Sequence, residues 1–312
     1  MRAPRHRAGP GATDYRDRVT IGPAGALRLD AGRLPGAAVR RPRMPDAIER
    51  RYTATLLRRV GLMRRLLLDA IAEADLSGEW DRTVARVDGR TDDVLGDFLN
   101  IVETVRRVAG EVIPLSPEEL EAVASDVDGF ATAQQAEIFR RIAAVDVFSA
   151  EPLRALYSSF VAENVDLITS ISDTFFAQIR AEVTEAVKTG RRSSELAKDI
   201  QARYTVTQSR AKLIARDQIS KLNGQITEQR QTSVGVTRYM WSASGDERVR
   251  DTHRANDGKV FEWRKPPDVT GHPGQDYQCR CVAIPVFDPE DEAALLAEQA
   301  ARVERENARG AA

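Results

Sequence analysis

The stretch from Leu153 to Val187 constrains the fold more than any other part of this 312-residue chain. Leu153, Leu156, Phe160, Leu167, Ile168, Ile171, Phe175, Ile179, Val183 and Val187 recur mostly at three- and four-residue steps. That spacing lines one face of an α-helix. It predicts either one long helix or two helices broken near Ser170–Asp173, with Gly190 as the stop. A short helix is expected over 194–203. Thr207 is expected to cap the next, whose stripe is Ala211, Ala215, Ile219, Leu222 and Ile226. Such a stripe is the pattern of helix–helix packing. Arg210, Asp217 and Lys221 fall on the other faces, and Asp217 and Arg210 should be solvated or locally paired. Aromatic residues are only 6% of the chain, so the core must be built mainly from Ala, Leu, Val and Ile.

The helical texture begins near Asp46. Leu56, Val60, Met63, Leu67 and Ile71 mark a first helix, and Leu95, Leu99, Val102 and Val105 mark another over 92–109. The run "LSPEEL" encodes a helix start. Ser116 is placed to cap, Pro117 suits the first helical position, and Glu119 can close a capping box while Leu115 staples onto Leu120. Residues 1–45 show no such period. They are rich in Gly and Pro and carry ten Arg against Asp14, Asp17 and Asp30. We read them as a flexible arm that either has no specific role or docks on a partner; neutralising phosphates, as on double-stranded DNA, is a standard task for such Arg. The net charge of −1 gives no general pull toward nucleic acid. No apolar run approaches the ~20 residues of a membrane span. The N-terminus lacks the apolar core of a signal peptide.

After about residue 232 the texture changes. The fold expected is mainly α: a helical domain over 46–232, a small C-terminal α+β module over 233–288, and a charged helical tail over 289–312. Val236–Ser242 reads as a strand. Asp246 is a plausible N-cap for a short helix that Asp257 and Gly258 end, placing Asp246, Arg250 and His253 along one side. "KVFEW" then returns as a strand, and "YQCRCVAIPV" is the last. Asp288 and Pro289 open the tail helix.

The residues that can ligate metal gather in this module. Both cysteines, Cys279 and Cys281, and two of three histidines, His253 and His272, lie within it; His6 is the third. In a strand, i and i+2 share a face, so the two thiols should point the same way with Arg280 opposite. Their Cα separation of ~6.5 Å disfavours a disulfide between them. His253, His272, Cys279 and Cys281 make a Cys₂His₂ set suited to Zn²⁺. The competing readings are inert packed thiols with a locally bonded His253, a Cys–His–Asp constellation that includes Asp246, and a metal-dependent nuclease or hydrolase on the same four ligands.

The ordered run "YMWSASGDERVRDTHRANDGKVF…HPGQDYQCRCVAIPV" resembles the C-terminal signature of the phage Mu F-like head morphogenesis family of minor capsid proteins. Trp241, Asp246, Glu247, Arg248, Val249, Arg250, His253, Gly258, Phe261, Pro273, Cys279, Arg280 and Cys281 fall on the signature positions. The resemblance covers about 155–287. It implies a low-copy component of a virion or procapsid interior, assembled in a host cytoplasm. It further implies association with portal and major capsid protein, a role in head assembly, genome packaging or delivery, and no catalytic residue.

Overall fold

The computed structural model describes residues 19–21, 27–29, 41–74, 76–84, 92–143, 153–245, 248–287, 293–297, 299–301 and 304–305. They form two compact units that interleave along the sequence. One takes its described residues from Pro45–Val127 and Leu153–Ile219, the other from Met1–Met44, Asp128–Pro152 and Ser220–Ala312. The fold is mainly α with a small C-terminal sheet, as the periodicities predict.

The first unit is helical. α1 (Asp46–Glu73) buries Leu56, Val60, Met63 and Leu67 at the predicted steps. α2 (Leu76–Val84) has no counterpart in the sequence reading; it buries Trp80, whose indole N–H donates to the Arg191 carbonyl at 2.8 Å. α3 (Asp92–Val112) packs on α1 and α5 through Val94, Phe98, Val102, Val105 and Ala109, while Leu95 and Leu99 flank that stripe half-buried. The stripe is therefore turned from the expected one, because Phe98 takes the core position. α4 (Pro117–Ala143) starts as predicted. Ser116 Oγ accepts from the Glu119 N–H at 3.2 Å, and the Ser116 N–H donates to Glu119 at 2.9 Å.

α5 (Arg154–Lys188) is a single helix, which settles the two alternatives; Ser172, at the proposed break, is simply buried. Gly190 adopts φ +67°, and the Arg191 N–H returns to the Ala186 carbonyl at 2.9 Å to close the helix end. α6 (Ser193–Ser233) corrects two expectations. It is one helix of 41 residues, with no break before Thr207. Thr207 caps nothing; its hydroxyl bonds the Arg203 carbonyl one turn back, as Thr205 does to Gln201. Hydroxyls bonded this way sit inside a helix rather than starting one. Asp217 is buried, which leaves local pairing of the two alternatives for it. Arg210 is locally paired as expected, donating to Ser170 and Thr174.

The second unit is built on an antiparallel three-stranded sheet. β3 (Arg238–Ser242) lies centrally between β4 (Val260–Glu262) and β5 (Val282–Val286), with Met240 opposite Ile284 and Trp241 opposite Ala283. Alternation gives the sheet two different faces. Met240, Ile284 and Val286 pack with Ile138 and Leu295, side chains from α4 and the helical residues 293–297. Tyr239, Trp241 and Ala283 face the other way, onto Trp263, Cys279 and Cys281. The short helix α7 (Asp251–Asn256) begins five residues after the predicted cap, with Arg250 at its N-cap position. Asp246, Asp288 and Pro289 lie outside the described residues. Within the arm, two three-residue strands, β1 (Val19–Ile21) and β2 (Leu27–Leu29), pair antiparallel. Arg43 then exchanges backbone hydrogen bonds with the Gln134 amide at 2.7 and 3.1 Å. The arm is thus not featureless throughout.

Candidate metal centre

Three segments meet on the aromatic face of the sheet. α7 brings His253, the Gly- and Pro-rich turn after β4 brings Asp276, and the residues leading into β5 bring Cys279 and Cys281. The cysteines precede the strand rather than lying in it, since β5 opens at Val282. Burial nevertheless alternates across Cys279, Arg280 and Cys281, so the two thiols share an inward side and Arg280 is only half-buried. Gln278 helps to aim them, at φ +52°. Neither thiol is in a disulfide.

His253, Cys279 and Cys281 each offer a ligand atom, and these atoms lie within 4.8 Å of one another. The side chains are buried, at 3%, 2% and 5% exposure. His253 Nδ1 faces both sulfurs, 3.3 Å from Cys281 and 3.5 Å from Cys279. Its other nitrogen, Nε2, is 2.8 Å from Asp276 Oδ2 and 3.0 Å from the Arg250 guanidinium. Arg250 in turn pairs with Asp276 at 2.8 Å. The Trp241 indole stands edge-on to the imidazole, 5.5 Å between centroids.

The electrostatics favour a negative sulfur. Cys279 is held well below the ordinary thiol range, first by its bond with Cys281, with His253 and the backbone N–H groups of Gly274 and Cys281 adding to this against burial. Those two N–H groups reach Cys279 Sγ at 3.3 and 3.4 Å. Cys281 moves the opposite way, because it shares its proton with Cys279 and is buried; Trp241 works against that rise. The Trp241 N–H is buried and makes no hydrogen bond of ordinary geometry among the described residues. His253 is raised by Cys279 and then Asp276, with burial opposing. Burial works to raise Asp276, but His253, the Tyr277 N–H and Arg250 outweigh it and hold the carboxyl down.

His272 stands apart from this cluster. Its Nε2 lies 3.1 Å from the Trp263 carbonyl, which can only accept, so that nitrogen carries the proton. Nδ1 then accepts from the Tyr239 hydroxyl at 2.8 Å. Both ring nitrogens are engaged in holding the turn to the sheet. Gly258 has the predicted left-handed backbone, φ +78°, and its N–H closes onto the Trp241 carbonyl at 2.8 Å. Arg248 is exposed.

Residues 177–284, from late α5 into β5, match the family described as Phage Mu protein F like protein. Over that span the chain is similar to the phage Mu F-like proteins. An uncharacterized protein of Haemophilus influenzae (strain ATCC 51907 / DSM 11121 / KW20 / Rd) is 45% identical over 131 residues, which are 42% of this chain and 29% of that protein. The chain therefore spans under a third of that relative's length. No solved structure matches. The Mu F-like span contains the whole His253–Asp276–Cys279–Cys281 arrangement. Asp276 was missed from sequence although it sits inside the ligand-rich window "GHPGQDYQCRC", where a carboxylate beside His and Cys is itself a signal. Gln231 was missed too. Its amide accepts from the Trp263 indole and donates to the Ala283 carbonyl, at 3.2 and 3.3 Å, tying α6 to the sheet.

Proposed function

We propose that this chain is a phage or prophage minor head protein, acting by binding rather than catalysis. The observation that carries the reading is the Mu F-like match over 177–284, which holds the sheet, α7 and the buried His/Cys cluster. Its partners would be portal and major capsid protein, and its place a procapsid or virion interior, in support of head assembly, packaging or delivery. Among the described residues no helix is long and apolar enough to cross a membrane. The Arg-rich arm is the segment suited to DNA, since counterion release makes such contacts salt-dependent.

The experiment is co-purification of tagged chain with heads or portal from an induced lysate, alongside a deletion. Entry into heads with defective assembly or packaging in the deletion supports the reading. Heads that form and package normally without the chain, and never contain it, overturn it. Removing residues 1–40 should weaken association with DNA most at low salt; an unchanged salt series would remove the arm's role. The hydrolase reading is disfavoured by the burial of all three cluster side chains and by the engagement of His272 elsewhere. DNA cleavage on adding divalent ions would revive it.

A further inference from the structure

We infer that His253 Nδ1, Cys279 Sγ and Cys281 Sγ form a Cys₂His site for one divalent metal ion of the Zn²⁺ class, with Asp276 as the carboxylate that positions the imidazole. The distances carry the inference. With Zn–S of ~2.3 Å and Zn–N of ~2.05 Å at tetrahedral angles, ligand sulfur and nitrogen stand ~3.6 Å apart. His253 Nδ1 stands 3.3 and 3.5 Å from the two sulfurs. One imidazole nitrogen carries at most one proton, so a hydrogen bond accounts for one of these approaches and a shared cation accounts for both.

The surroundings point the same way. A ligating histidine nearly always donates its second N–H to a carboxylate or carbonyl, and Nε2 meets Asp276 at 2.8 Å. With Nε2–H donated there, the Arg250 guanidinium bonds Asp276 rather than Nε2, and Nδ1 presents its lone pair to the sulfurs. Cys279 Sγ receives two backbone N–H groups, and the buried Trp241 N–H faces Cys281 without a conventional acceptor. Donors aimed at sulfur suit thiolates, the form that binds metal. Metal entry would release two protons from the two sulfurs and the imidazole, leaving one proton on Nε2.

Three protein ligands usually mark a catalytic site with an open fourth position. Burial favours the structural alternative here. The three ligand side chains are 3%, 2% and 5% exposed, and the cavity that reaches Cys281 alone of the three, between Asn223, Thr227 and Pro273, is about 10 Å³, room for about one water. The ion would clasp α7, the turn and the entry to β5 together, a structural role for a module with a small core.

The test uses the full chain purified under reducing conditions. About one equivalent of zinc should survive dialysis, and replacement by Co²⁺ should give the visible bands and sulfur charge-transfer absorption of a two-thiolate tetrahedral site. Asp276→Ala should weaken Zn²⁺ affinity by ~10–100-fold, while the Co²⁺ spectrum at saturation keeps its two-thiolate signature. His272→Gln should keep full stoichiometry. Because Cys279→Ser or Cys281→Ser could unfold the module, the unsubstituted protein's spectrum is decisive. Less than about a tenth of an equivalent of metal with no charge-transfer band on adding Co²⁺ overturns the site. Loss of metal in His272→Gln with retained folding overturns the ligand assignment. These outcomes are independent of whether the chain enters heads.

Discussion

Gly224 tests how the turn is held against α6. A Cβ placed on Gly224 would come under 3.0 Å from the Pro273 carbonyl oxygen, an approach real Cβ atoms essentially never make. The contact is reciprocal. A Cβ on Gly274 would stand 2.7 Å from the Ser220 carbonyl oxygen, and Gly274 sits at φ +93°. Helix and turn thus meet backbone to backbone. Gly224→Ala pits two effects against each other. Alanine favours a helix interior over glycine by about 1 kcal/mol, whereas overpacking costs about 1–3 kcal/mol. The obstacle is a backbone carbonyl, which cannot rotate aside like a side chain, so the cost should lie at the upper end and the net loss be about 2 kcal/mol.

Gly129→Ala is the control. Gly129 lies exposed within α4 of the same unit, and a Cβ there meets nothing within 4 Å. It should gain about 1 kcal/mol. The two variants should therefore differ by about 3 kcal/mol in urea denaturation followed by tryptophan fluorescence. Trp241 and Trp263 are buried in this unit and report on it. Gly224→Ala should also lower metal retention, because the displaced turn carries Asp276 and leads to Cys279. If Gly224→Ala matches or exceeds the parent in stability, the close approach does not exist and the placement of the turn is wrong.

Two further perturbations probe the same unit. Arg230 Nη2 lies 2.9 and 3.0 Å from the two oxygens of Asp128, with both side chains under a tenth exposed; Asp128→Ala removes one side of this buried pair and should cost about 3–5 kcal/mol in urea unfolding, whereas a cost under about 1 kcal/mol would mean that the pair contributes no more than an exposed one. Burial lowers the His272 pKa below its ordinary value, with the Trp263 carbonyl opposing. The unfolded chain then binds the proton more readily, so this stability is fully present above about pH 6.5 and is lost as pH falls below it. His272→Gln should flatten that part of a pH–stability profile, and an unchanged profile would assign the dependence to another group.

The helical part was legible because its signals are local. A capping box needs only Ser116 and Glu119, and both of its hydrogen bonds form. The stripes of α1 and α5 survive because every third or fourth residue is apolar whichever neighbour it meets. Helix ends were less legible where polar residues are ambiguous. Thr207 has the chemistry of a cap, and only its bond to Arg203 one turn back shows that it lies mid-helix. The stripe of α3 was turned because Leu and Phe compete for one face, and its packing on α1 and α5, not its own sequence, selects Phe98.

The site divides along the same line. Sequence spacing could place Cys279 and Cys281 on one side of the chain, and alternation alone achieves that. It could not choose between His253 and His272, because both lie at plausible distances along the chain. The choice is made by three long-range contacts: Trp263 offers His272 a carbonyl, Tyr239 offers it a hydroxyl, and the turn swings Asp276 onto His253 instead. A histidine with a carbonyl on one nitrogen and a hydroxyl on the other has no lone pair left for a metal. One with a carboxylate on Nε2 and two sulfurs before Nδ1 has its lone pair aimed at them. The groups bonded to each imidazole, not ligand count, therefore separate the histidine engaged on both nitrogens from the one proposed to ligate, and they make Asp276 the residue whose removal best distinguishes a metal clasp from a packed pair of thiols.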